Sequence, residues 1–169
     1  GFVRLRESVR AEGWNPQLSS AGAQTIEDLK FDNYFKEIYL DSDTKIALIS
    51  SAPSDIPEDW FLTNRQMAEA KAKVNSEAGS LRMMSHAIMT PGAPGWLDDL
   101  SAALELRPDS VKGYTVGDNT HKETAQHPWR MDSDDTYRGY ERMLAAGVTT
   151  VCVHKGLWGR AADRRFPEL

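Results

Sequence analysis

The sequence carries a single cysteine, Cys152, among 169 residues. An intrachain disulfide and a thiolate zinc cluster are thereby excluded. No uninterrupted apolar run approaches the roughly 18 residues that a membrane-spanning helix requires. A basic stripe is missing too, and the net charge of −5 argues against non-specific nucleic-acid binding. Neither G-x-x-x-x-G-K nor G-x-G-x-x-G occurs, which weakens a nucleotide-binding reading. The chain opens Gly-Phe-Val-Arg, with neither an initiator methionine nor a signal-peptide core. It therefore reads as a processed protein, an expression product or a piece of something longer, with a cytoplasmic location expected.

What is present is the balance of an ordinary globular protein, 40% hydrophobic and 27% charged. A chain of this length supports one domain with a substantial core. The clearest local signal runs from Gly147 to Gly159, Gly-Val-Thr-Thr-Val-Cys-Val-His-Lys-Gly-Leu-Trp-Gly. A helix-stopping glycine is followed by β-branched residues over 148–153, the pattern of a strand buried on both faces. His154 then falls where that strand ends.

Three further strands are predicted upstream, over 45–50, 81–89 and 111–116. Helices alternate with them. Thr63 and Gln66 form a T-x-x-Q capping box, and Met67, Ala70, Val74 and Ala78 repeat at helical spacing before a stop at Gly79. Leu97, Leu100 and Leu104 mark the next helix, ended by Pro108. Tyr137, Tyr140 and Leu144 define the last, capped by Asp132 or Ser133 and closed by Gly147. Asp132, Asp134 and Asp135 cluster at that helix start, where carboxylates favour the dipole. Before the first strand, a short helix is predicted over 4–11, then another from Ile26 to Leu40 with Thr25 as its cap.

The strand centres lie about 30 to 37 residues apart, each pair bracketing one helix, which is the βαβ period. The fold class is therefore α/β with parallel βα repeats. Two architectures fit: a complete open doubly wound sheet, or a partial TIM (β/α)8 barrel, whose full length is about 250 residues. No helix follows the last strand to cover it, which points to the barrel. The expected organisation is one incomplete barrel domain over 1–169: a helical lead-in (1–44), four βα strands (45–158) and a charged tail (159–169). Unpaired edges on the outer strands would favour self-association into a homo-oligomer.

Candidate site residues follow from the strand ends, where parallel α/β proteins usually do chemistry. His154 is either a ligand or catalyst there, or a polar residue leaving the sheet. Lys112 is unusual inside an otherwise apolar strand; it is either a salt-bridged core residue or an active-site cation. Asp118, just past the third strand, offers an acid on the same face, against the alternative of capping or plain solvation. His86, inside the second strand, reads as a hydrogen-bonded core histidine. His121 and His127 lie in the loop over 117–133, whose length suits a substrate-shaping loop, although solvated loop residues are the default.

Val111-Lys112-Gly113-Tyr114-Thr115, Pro128-Trp129-Arg130-Met131-Asp132 and the run from Gly147 through His154-Lys155-Gly156-Leu157 together resemble the metal-dependent amidohydrolase superfamily. The resemblance is to its amidohydrolase-related TIM-barrel branch, which includes some decarboxylases. Tyr34-Phe35-Lys36-Glu37 and Leu40 to Thr44 add to it, and it spans about residues 25–158.

That resemblance implies barrel strands two to five, with His154 matching the strand-five histidine that binds the metal. The family's other ligands, an H-x-H pair on strand one and an aspartate on strand eight, have no counterpart here. Some branches use a carbamylated lysine on strand four, but Lys112 sits early in its strand, against that role. The implied cofactor is a divalent metal ion, zinc by preference, which activates a water and polarises a small organic substrate. Lys112 would hold a substrate carboxylate. The implied activity is hydrolysis or decarboxylation of a small molecule; the alternative is a non-catalytic α/β binding module.

Overall fold

A computed structural model describes residues 31–119, 121 and 124–154. The predicted helix over 4–11, Thr25 as a cap, the start of the helix at Ile26, the Lys155-Gly156 step and the charged tail lie outside these residues. The chain falls into two units, Gly1–Lys45 and Ile46–Leu169.

In the first unit, helix α1 (Phe31–Phe35) widens into a π-helical turn (Lys36–Leu40). The backbone N–H of Asp41 closes that turn on the carbonyl of Lys36 at 2.9 Å. The Lys36 ammonium reaches back to the Asp41 carboxylate at 2.8 Å. Ser42 donates to the Ile38 carbonyl, capping one of the carbonyls that a helix end leaves open. The helical end predicted at Leu40 is where the turn stops.

The second unit carries the sheet. Strands β1 (Ala47–Ile49), β2 (Met83–Met89), β3 (Ser110–Tyr114) and β4 (Val151–His154) stand side by side in chain order, every pair parallel. The sheet curls into a half-barrel. Helices α2 (Asn64–Ala78), α3 (Trp96–Glu105) and α4 (Asp134–Ala145) alternate with the strands. Parallel strands need crossovers of this kind, because a short turn cannot carry the chain back to the start of a parallel neighbour.

The predicted caps are present. Thr63 and Gln66 form the reciprocal box on α2, and Gly79 ends that helix in the left-handed region. Ser133, rather than Asp132, caps α4 by accepting from the Thr136 N–H. Asp132 instead holds the Arg130 guanidinium through two 2.9 Å bonds.

Every strand departs from its expected bounds by one to three residues, and two of these shifts have a visible cause. β3 stops at Tyr114 because the chain turns there, Gly117 N–H closing on the Tyr114 carbonyl at 2.8 Å with φ +85°. β4 begins at Val151 because the Val148 N–H is spent on the α4 carbonyl of Met143. Nor is β4 buried on both faces: Val151, Cys152 and Val153 are half-buried, and among the described residues only β3 pairs with it.

Strand side chains alternate between faces. The outer face packs Ala87, Met89 and Val111 with Trp96, Leu100, Ala103, Leu104, Trp129, Met143 and Val148 into one apolar core. Two glycines set its closest approaches. A Cβ at Gly113 would meet the Trp129 ring at 2.5 Å, and one at Gly139 would meet the Trp96 ring at 2.8 Å. Trp96 is fixed further by donating its indole N–H to Asp135 at 3.1 Å.

Helix side chains also complete the sheet edge. β1 covers β2 only from Met83 to Ser85. Beyond it, Asn64 takes the Ile88 N–H (2.8 Å) and gives to the Ile88 carbonyl (3.3 Å), as a neighbouring strand would. Asn75 does the same near the start, accepting from Arg82 and Met83 and donating to the Met83 carbonyl at 2.9 Å. Buried backbone polar groups are thereby paired where the ladder is absent.

Candidate functional site

The inner face of the sheet, opposite the helices, carries most of the polar and titratable side chains of the strands. Alternation from Lys112 places Ser110 and Tyr114 beside it on β3, and the register sets His86 against Ser110, Cys152 against Lys112 and His154 against Tyr114. Ser50, one residue past β1, completes the group. The lowest layer is a buried pair, His86 Nδ1 and Ser110 Oγ, 2.7 Å apart. Above it, the Lys112 ammonium donates to Ser50 Oγ at 3.0 Å. It also lies 5.0 Å from the centre of the Tyr114 ring. Tyr114 donates its hydroxyl to the Ser51 carbonyl at 3.1 Å, which holds the ring in place. The exposed His154 ring stands 5.1 Å from Tyr114 at the C-terminal end of β4.

Lys112 is half-buried, in the middle of its strand, and no carboxylate among the described residues lies within ion-pair reach of it. The core salt bridge considered as one alternative for this residue is thus not formed. Its charge acts on its neighbour: burial first, and the Lys112 ammonium second, push the His86 imidazole below its usual range, opposed by Asp109. His86 is accordingly a neutral, hydrogen-bonded core histidine, as its sequence setting suggests.

Asp118 has a different surrounding. It is 2% exposed and accepts from Ser54 Oγ (2.9 Å) and Asp55 N–H (2.8 Å) on the β1 loop and from His121 N–H (2.7 Å) on its own. The His121 ring stands 3.4 Å from both the Asp118 and Asp59 carboxylates. Asp55 in turn accepts from the Gln126 N–H, and the Asn119 N–H reaches the Pro53 carbonyl. Together these contacts clamp the loop after β1 to the loop after β3.

Serine, histidine and aspartate meet here, but not as a nucleophilic triad. The Ser54 hydroxyl donates to the carboxylate, accepts from the Ile56 N–H, and is 3.5 Å from the imidazole. A triad requires that proton to be directed at the base. His127 contributes backbone packing: its carbonyl would lie 2.7 Å from a Cβ at Gly117.

Sequence reading picks out Lys112, Asp118 and His154. The structure brings Lys112 and His154 onto one face around Tyr114, and sets Asp118 in the loop clamp. It adds Ser50, Ser110 and Tyr114, of which the last two were accessible through the period of two around Lys112. Ser50 depends on how β1 is placed against β2, which no local pattern shows.

A metal ion does not fit the described residues alone. No group of three or more His, Cys, Asp or Glu side chains among them is arranged to hold one. Compared with family models, curated proteins and solved structures, the chain matches none. Among the described residues no helix is long and apolar enough to cross a membrane.

Proposed function

We propose that the inner face is the small-molecule site of a TIM-barrel hydrolase or decarboxylase of the amidohydrolase-related kind. The observation that carries this reading is that Tyr114 and His154 stand together at the C-terminal end of a curled parallel sheet, with the mid-strand Lys112 ammonium against the Tyr114 ring. In such folds that end is where substrate is met. Lys112 supplies positive charge, Tyr114 a flat wall, and His154 an imidazole able to take a proton or bind a ligand. The divalent ion implied by the family resemblance, zinc by preference, would need ligands beyond the described residues. Metal analysis of the protein and of His154→Ala tests the reading. A metal content that drops in the variant is expected; an unchanged content removes His154 as a ligand.

The alternative reading is a non-catalytic binding module built on the same Lys112 and Tyr114 face. It predicts ligand binding at the same face without turnover.

A further inference from the structure

A cavity opens between α2 and α3, on the helix-bearing side of the sheet and apart from the inner face. Its volume is about 380 Å³, inside the range of roughly 300–1,000 Å³ that small-molecule sites occupy. Ala102 and Ala103 make the room, two small residues where α3 meets it. Trp96 adds an indole from the start of α3, and Trp60 adds a second from the segment before α2. Both rings are fixed. Trp60 donates its N–H to the Ser54 carbonyl at 2.7 Å, and Trp96 donates to Asp135 at 3.1 Å. Asn64 is spent on the Ile88 backbone, and Thr63 on the capping box with Gln66. With those polar atoms bonded elsewhere, the walls offer mainly carbon, in a shape set before any ligand arrives.

The charged residues of the lining are one of each sign, each from a different helix. Arg65 is the second residue of α2, and Asp99 lies in the first turn of α3; both are exposed. They do not pair with each other. Asp99 follows the helix dipole, whereas Arg65 opposes it, so helix stabilisation does not account for the arginine. A guanidinium presents a planar fork of donors that matches a carboxylate, and a carboxylate accepts from an ammonium.

We propose that this cavity binds a free α-amino acid with an aromatic side chain. Its carboxylate meets Arg65, its ammonium meets Asp99, and its ring lies against Trp60 and Trp96 in the space that Ala102 and Ala103 leave. Charge sets the class. An apolar amine or an apolar acid satisfies one of the two residues and leaves the other facing a group it does not match, whereas a zwitterion engages both. The indoles set the side chain, since aromatic pairs gain from offset or edge-to-face contact beyond the area they bury.

The test is titration of the 169-residue chain with L-phenylalanine, followed by calorimetry and tryptophan fluorescence. Three analogues serve as controls: phenethylamine lacks the carboxylate, 3-phenylpropionate lacks the ammonium, and N-acetyl-L-phenylalaninamide lacks both charges. Saturable phenylalanine binding is expected, weakened by salt and at least about tenfold tighter than binding of any analogue. Asp99→Asn should weaken phenylalanine about tenfold and leave 3-phenylpropionate unchanged. Arg65→Gln should weaken phenylalanine likewise and leave phenethylamine unchanged. Ala102→Leu, at an exposed position where leucine suits a helix, should fill the cavity and remove binding of all four. Absence of saturable phenylalanine binding overturns the proposal, as does full phenylalanine affinity in either charge variant. Equal affinity for N-acetyl-L-phenylalaninamide overturns it too, and would mark the cavity as a seat for an apolar side chain of a peptide.

Discussion

The two faces of the sheet are built on opposite rules. On the outer face, glycine makes room for indole: Gly113 lies under Trp129 and Gly139 under Trp96, both contacts too close for a Cβ. Volume is matched there to a fraction of an ångström, as in a close-packed interior. On the inner face Ser50, His86, Ser110, Lys112, Tyr114 and His154 are linked by hydrogen bonds and ring contacts, with Ile88 and Cys152 set against Lys112 by the register. The difference separates two tasks carried by the same strands, since alternate residues of β3 hold the fold together and present a charge. Substitutions on one face should therefore read out mainly in stability and on the other mainly in binding.

The largest loss is expected on the outer face. Trp96→Ala removes a side chain that is 5% exposed and anchored to Asp135, and should cost about 3–5 kcal/mol in urea denaturation. Gly113→Ala tests the same rule from the other side. Its new Cβ has 2.5 Å to the Trp129 ring, so overpacking of about 1–3 kcal/mol is expected. A neutral Gly113→Ala would mean that the outer face is loosely packed and that the contrast fails.

The loop clamp falls between the two faces in its cost. Asp118→Ala strips the acceptor from Ser54, Asp55 and His121 at once. Leaving such donors unpaired in a buried place should cost about 2–3 kcal/mol, read as a lowered melting temperature. Proteolysis should then cut within 51–59 or 117–127 before the sheet opens.

Lysine offers the sharpest pairwise contrast. Lys71→Met breaks a partly buried ion pair at 2.7 Å and leaves Asp109 with less compensation, so a loss of about 1–2 kcal/mol is expected. Lys112→Met removes a cation that has no anionic partner among the described residues, and should be neutral or stabilising within about 1 kcal/mol. If Lys112→Met proves the more damaging, the charge is structural and the inner face is not a site.

These contrasts also show how far the chain can be read without coordinates. The βα period, the Thr63–Gln66 box and the Gly79 stop depend on neighbours in sequence, and they lie where the pattern places them. So does the oddity of Lys112 in an apolar strand. What escapes is set by distance along the chain. The 62-residue separation of Ser50 and Lys112 and the 64-residue separation of Ser54 and Asp118 carry no local signal. Asp118 illustrates the point. A carboxylate just past a strand suits a catalytic acid, and only the arrival of Ser54 and Asp55 reveals a clamp.

The smallest effect is expected from His86, and its sign is diagnostic. Burial and the Lys112 ammonium lower its pKa in the folded chain below the ordinary 6.5. Below about pH 6.5 the unfolded chain takes up a proton on this histidine that the folded chain refuses, so stability falls with pH until the folded form titrates as well. Above that range the group contributes no pH dependence. His86→Gln should remove this acid slope while keeping a hydrogen-bonding group opposite Ser110. Lys112→Met should shrink it only in part, because the charge is the lesser cause and burial the greater. Urea denaturation between pH 7 and pH 5 measures all three chains, and an unchanged slope in Lys112→Met would mean that the ammonium does not act on the imidazole beneath it.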